Sequence, residues 1–429
     1  MPLLTRRRQI CAAINAGSSF DSGTVAAANV INLITDLAPG YDVSKVERNV
    51  LRPQIGQLAP IKGTKGGNIS FGVEMIGSGT AGVAPQIGRL FKMCGFSETV
   101  NSGSAAVGSA VEIGNNVGTG SAPTTAGTFT GLKSGLVRIL ITAVTSNTSI
   151  AFQATFYPGD GTTPSSGSFT QSSGSAVTLT GVAAGATVDF GDPSSSTAGY
   201  VVGDQWAFSV TSSSEVSVVY KLRDSGHQRG DLAGIMDGNL HKWFGCMGDV
   251  SIEGKLGQIV KAKFDFKGVP AGFDEQSFFT SGIPTPGATP EPFLAVTPLY
   301  DGSAPECFTD FNLSLANDVS LRQCAEETYG FEAAQITGRL PKLTFNPESI
   351  GFNTFNPFSD LFANTTKGWS VQWGQTAGNI IKIECVYAST TGVSNGDRDG
   401  IMTDELEFEL AQPATDPGSG FSELIITFT

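Results

Sequence analysis

Residues 43–96 read VSKVERNVLRPQIGQLAPIKGTKGGNISFGVEMIGSGTAGVAPQIGRLFKMCGF. Within them Ile69, Phe71, Val73 and Met75 are apolar, while Ser70, Gly72 and Glu74 are not. A period of two is that of a strand with one face buried and the other in water. Further on, Ile87, Leu90, Phe91 and Cys94 recur at i, i+3, i+4 and i+7, with Pro85 placed to open a helix and Gly95 to close it. The segment predicts a sheet with one helix docked on it.

Upstream, ANVINLITDLAPGY carries Ile31, Leu33, Ile34 and Leu37 at the spacing of a short helix ended by Pro39 and Gly40. Residues 1–60 offer few positions to bury and are read as an arm that docks on a neighbour. Downstream, the composition changes at Val100. Between 101 and 214 the only charged residues are Glu112, Lys133, Arg138, Asp160, Asp189, Asp192 and Asp204. Leu136–Ala143, Phe152–Phe156, Thr187–Phe190 and Trp206–Val210 read there as short strands between turns such as Pro158-Gly159-Asp160-Gly161, the spacing of a small β-sandwich.

Past the insert, alternation resumes at Val216, Val218, Tyr220 and Leu222. Val260, Ala262, Phe264 and Phe266 then alternate with Lys261, Lys263, Asp265 and Lys267. IEGKL and IVKAKFDF flank Gly257-Gln258 as a hairpin. Residues 269–305 hold seven prolines with Pro270 just inside and read as a linker, because proline is excluded from central strands. Phe311–Leu315, Leu343–Phe345, Trp369–Trp373, Ile381–Tyr387, Leu406–Leu410 and Leu424–Phe428 form a second set of alternating strands. A faint repeat joins the two sets. Ile61-Lys62-Gly63, Ile69-Ser70-Phe71, Glu74, Pro85 and Leu90-Phe91 recur in order as Ile336-Thr337-Gly338, Leu343-Thr344-Phe345, Glu348, Pro357 and Leu361-Phe362.

ERNVLRP at 47–53, the run from Gly67 to Gly82 ending in GSGTAG, and LFKMCGF resemble the corresponding segment of the major tail, or tail tube, proteins of long-tailed bacteriophages. LLTRRRQICAAI is similar to their opening arm, and DGIMTDELEFELAQP with SELIITFT to their closing strands. The resemblance covers the first hundred residues and most of the chain after 215. It implies a mainly β chain, with a tube-type sandwich or barrel and a flanking helix, built once or twice. On this division 1–100 and 215–268 are two parts of one tube domain, 101–214 an inserted Ig-like β-sandwich, 269–305 a linker and 306–429 a second tube-like domain. It also implies self-assembly into stacked rings, as trimers of two-fold subunits or hexamers, assembled in the host bacterial cytoplasm into a virion tail. Tape measure and tail terminator proteins would be neighbours, DNA would pass without specific binding, and the N-terminal arm, the loop around 47–66 and the C-terminal strand would supply the stacking contact.

Composition agrees with a structural role. The chain has 429 residues, 54 of them Gly, only 15% charged and a net charge of −13, a balance unlike the clustered Lys and Arg that grip phosphates. Six scattered cysteines without a CxxC read as reduced thiols. No run of about 18 apolar residues predicts a membrane span.

Candidate chemistry is thin, and no catalytic, cofactor or metal residue is assigned. Gly77-Ser78-Gly79-Thr80-Ala81-Gly82 matches GxGxxG between strand and helix. No second βαβ unit or suitably spaced acid accompanies it, so it reads as a turn. Asn395, Asp397, Asp399 and Gly400 imitate a calcium loop, but Leu406 stands where a bidentate Glu is required. His227 and His241 lack nucleophile or metal partners in sequence. Trp206, Trp369 and Trp373 read as core anchors and Trp243 as a subunit contact. Two further classes stay open: an adhesion protein whose insert binds host glycans, and an enzyme using the glycine loop.

Overall fold

The computed structural model describes residues 7–32, 34–48, 50–51, 58–113, 116–145, 148–158, 164–172, 174–191, 199–300, 305, 307–363, 366–411 and 422–429. The chain is mainly β, with antiparallel sheets and, among the described residues, no closed barrel. The opening stretch folds as its pattern requires. Strand Ile61–Glu74 buries Ile69, Phe71 and Val73, and helix Gly88–Met93 buries Leu90 and Phe91 against the same core, with Gly95 in the left-handed region at φ 93°.

Among the described residues the principal sheet has 16 strands. Its central run is Ile34–Val46, Ile61–Glu74, Lys261–Glu275, Asn239–Lys255, Phe308–Ser314, Lys342–Pro347, Ile401–Leu410 and Ile381–Arg398. The first four and last four of these have the same chain order. In each set an edge strand pairs with the strand that precedes a short helix, and that strand pairs with the second arm of a long hairpin. The helices are Gly88–Met93 and Pro357–Ala363. The faint sequence repeat coincides with a repeated topology at Ile69–Phe71 with Leu343–Phe345 and at the helices, whereas Ile336–Gly338, matched to Ile61–Gly63, lies in strand Phe331–Gly338 of a separate two-stranded sheet. The sets join where Ser251–Lys255 pair with Asp310–Ser314. One hydrophobic cluster runs through both, from Phe71, Phe264 and Trp243 to Phe345, Trp369 and Phe408, and takes in Phe293 and Tyr300 of the proline-rich segment.

The insert has a core of its own, built on Phe152, Trp206, Ile139 and Val188. Strands Gly135–Thr145, Ser149–Pro158, Ser165–Gln171 and Gln205–Thr211 form most of one sheet, and Thr124–Gly127, Val177–Thr178 and Ala186–Asp189 form a second. The expected turn at 159–161 lies outside the described residues. Ser102 pairs with Val216 in the principal sheet, and Ala106 with Thr211 in the insert. Entry and exit are therefore adjacent.

Three expectations need correction. The predicted helix around Ile31–Leu37 is instead strand Val30–Ile31 followed by the edge strand Ile34–Val46; Leu33 lies outside the described residues. The N-terminal arm docks on its own chain. Arg8–Ile14 pairs with Gly230–Met236 and Val30–Ile31, and Ile10, Cys11 and Ala12 are fully buried. Pro270 and Pro298 lie within strands, both without a second neighbour at that point among the described residues. Pro270 follows Gly268, the last residue paired with Ile61–Glu74, and Pro298 is in Thr297–Tyr300, paired only with Thr366–Trp373.

Candidate functional site

The glycine loop is occupied by the chain itself. Gly77 N donates to Asn379 Oδ1 at 2.8 Å and Gly79 N to Gly378 O at 3.0 Å. A Cβ on Gly77 would lie 2.0 Å from Gly378 O, and one on Gly79 2.0 Å from Gly287 O. The glycines serve the approach of two backbones, and N–H groups that a pyrophosphate would need are committed to protein acceptors.

The apparent calcium loop is the end of a long hairpin. Asn395 pairs with Asp404 and Asp397 with Met402, and the chain reverses at Asp399-Gly400. Asn395 Nδ2 donates to Asp404 Oδ1, and Gly400 N to Asp397 Oδ1 at 3.3 Å. Among the described residues no group of three or more His, Cys, Asp or Glu side chains converges on one point.

The histidines have structural partners. Tyr41 Oη lies 2.6 Å from His241 Nδ1, and Tyr41 and His241 each stack with Trp243. Burial holds the His241 pKa below its ordinary value. Trp243 is fully buried within the subunit, which corrects its reading as a subunit contact; its Nε1 has no hydrogen-bond partner. His227 Nε2 meets Arg223 O at 2.9 Å. Burial raises the thiol of Cys11 to about 11 and those of Cys94, Cys246 and Cys385 above the ordinary range, which leaves all four protonated and unreactive near neutral pH.

What the molecule leaves open is sheet edge. Among the described residues, strand Ile34–Val46 pairs on one side only, with Ile61–Glu74. At the opposite end of the central run, residues 381–389 of strand Ile381–Arg398 pair with Thr366–Trp373, and past Ser389 that side has no partner among the described residues. The far end of the hairpin Ile34–Val46/Ile61–Glu74 also exposes Val46, Val50, Leu51 and Ile61. Sequence reasoning placed the 47–66 loop at a subunit contact but missed the edge strand beside it. The C-terminal strand, another expected contact, is internal: Ile425–Phe428 pairs with both Val216–Leu222 and Ile381–Arg398.

Compared with known proteins, the chain matches no protein family and no curated protein.

Proposed function

We propose that this chain is a structural subunit that closes into rings and stacks into a hollow tube, the phage tail tube of its sequence resemblance. The observation that carries the reading is the doubled central run: among the described residues its outer edges are open along Ile34–Val46 and past Ser389, while the equivalent inner edges pair with each other. An exposed edge is a standing invitation to another strand. A heterologous contact that closes through rotation gives a ring. With two units per chain, three chains make a six-unit ring.

Stacking falls to the apolar residues Val46, Val50, Leu51 and Ile61, at the end of the hairpin that runs on past Gly67, the last residue of Ile61–Glu74 paired with Lys261–Glu275. The insert, hung on adjacent entry and exit points, projects from the tube wall. The role of the channel is passive conduction of DNA, and the net charge of −13 keeps phosphates from adhering. Native mass spectrometry of the assembled protein tests the reading. Masses of three chains and multiples of three support it, whereas a single-chain mass at every concentration and salt overturns it.

A further inference from the structure

The inner seam is a template for an outer one. Strand Asn239–Lys255 pairs along its first part with Gly230–Met236 and, on the same side further on, with Phe308–Ser314. Strand Ile381–Arg398 repeats the first half of this arrangement with Thr366–Trp373 and leaves the second half open. Registers identify the equivalent residues. Phe71 pairs with Phe264 and Phe264 with Val250; Phe345 pairs with Leu406 and Leu406 with Val393. Two residues further along, Asn395 and Asp404 stand where Ile252 and Ala262 stand. On the other edge, Pro39 opposite Ile69 stands where Leu313 stands opposite Leu343.

The two seams differ in chemistry. Ile252 and Ala262 are buried, and Ile252 pairs with Leu313. Asn395 is exposed, and its amide donates to Asp404 Oδ1 at 3.0 Å. Asp404 itself is 1% exposed, and its Oδ2 has no hydrogen-bond partner. An unpaired carboxylate oxygen out of water is costly, and since Pro39 has no N–H the donor it calls for is a side chain of the arriving strand. The edge strand Ile34–Val46 is bulged between Thr35 and Ala38, but Phe308–Ser314 carries a bulge of the same size and still pairs. Pro39 supplies no N–H, so an approaching edge gains one ladder bond fewer, and side chains must carry more of the selectivity.

We infer that Asn395 and Asp404 form a polar joint that receives strand Ile34–Val46 of a second copy of this chain, with Asn395 opposite Pro39 as Ile252 is opposite Leu313. This rests on the tube reading and adds to it the strands, the register and the acceptor. Where the inner seam is apolar, at Ile252 and Leu313, the outer one is polar, suited to a subunit that must stay soluble before it assembles.

The test uses full-length chains in which the exposed Cys307 and the partly exposed Cys324 are replaced by Ser. One chain carries Asn395→Cys and another Pro39→Cys, and the two are assembled together and mildly oxidised. A disulfide-linked two-chain species formed only in the mixture is expected. In parallel, Asp404→Ala should raise the concentration needed for assembly roughly tenfold or more, while the monomer keeps its β-type circular dichroism. Tubes that form without the cross-link, or that form at unchanged concentration with Asp404→Ala, overturn the joint and leave the tube reading standing. A parent chain, with Pro39, Asn395 and Asp404 in place, that never assembles removes both.

Discussion

Gly77 donates its backbone N–H to Oδ1 of Asn379 at 2.8 Å, across 302 residues of sequence. Asn379 is 3% exposed and its amide also donates to Thr289 O, so one side chain ties together the glycine loop of the first half, the proline-rich segment and the second half. Asn379→Ala strands a buried N–H and should cost about 1–3 kcal/mol. Gly77→Ala should cost at least as much, because its Cβ would meet the carbonyl of Gly378 at 2.0 Å. Urea denaturation of both variants checks this, and a variant as stable as the parent contradicts it.

Nucleotide binding should be absent. With Gly77 and Gly79 donating within the chain, calorimetric titration of NAD or ATP into the protein should give no saturable heat. A saturable signal that Gly79→Ala removes would reinstate the enzyme reading.

The stack of Tyr41, His241 and Trp243 gives a pH dependence with a definite sign. Burial lowers the His241 pKa from 6.5, so folding favours the neutral ring. That contribution is complete above the unfolded value and is lost as pH falls through the lowered folded value, because the unfolded chain takes up the proton first. Lys242, ion-paired with Asp274, is the neighbouring charge pair. His241→Gln should therefore flatten the stability profile below about pH 6.5. Urea midpoints of parent and variant at several pH values check it, and parallel curves contradict it.

The insert should be separable. Its hydrophobic cluster is distinct from that of the principal sheet, and Ser102 and Val216 already pair across the junction. Replacing residues 105–212 with a short Gly-Ser turn should leave a cooperatively unfolding chain that still assembles. Loss of folding in the truncated chain would show that the insert is needed for the sheet.

The legible parts of the sequence were those with an unbroken period. Ile69 to Met75 and Ile87 to Cys94 disclosed strand and helix because their apolar residues all turn to one core. The edge strand Ile34–Val46 was hidden because its bulge, with Asp36 at φ 53°, breaks the alternation, and Leu37 falls at a helical spacing from Ile34. Pro39 reinforced the error, since a proline is tolerated on an edge that has no neighbour to bond. The proline-rich segment looked like a linker, yet Phe293 and Tyr300 enter the shared core from it. Asn395 resembled the first position of an ion loop; only the register reveals that it and Asp404 occupy the place of an apolar pair. Long-range pairings such as Gly77 with Asn379 leave no local trace.

The central claim is that open edges close between copies into rings that stack. Electron microscopy of the purified full-length chain at high concentration tests it most directly. Annular particles with a central channel, six lobes per ring and end-to-end stacking are the predicted result. Particles that remain single, without rings or tubes, across concentration and ionic strength would contradict the account.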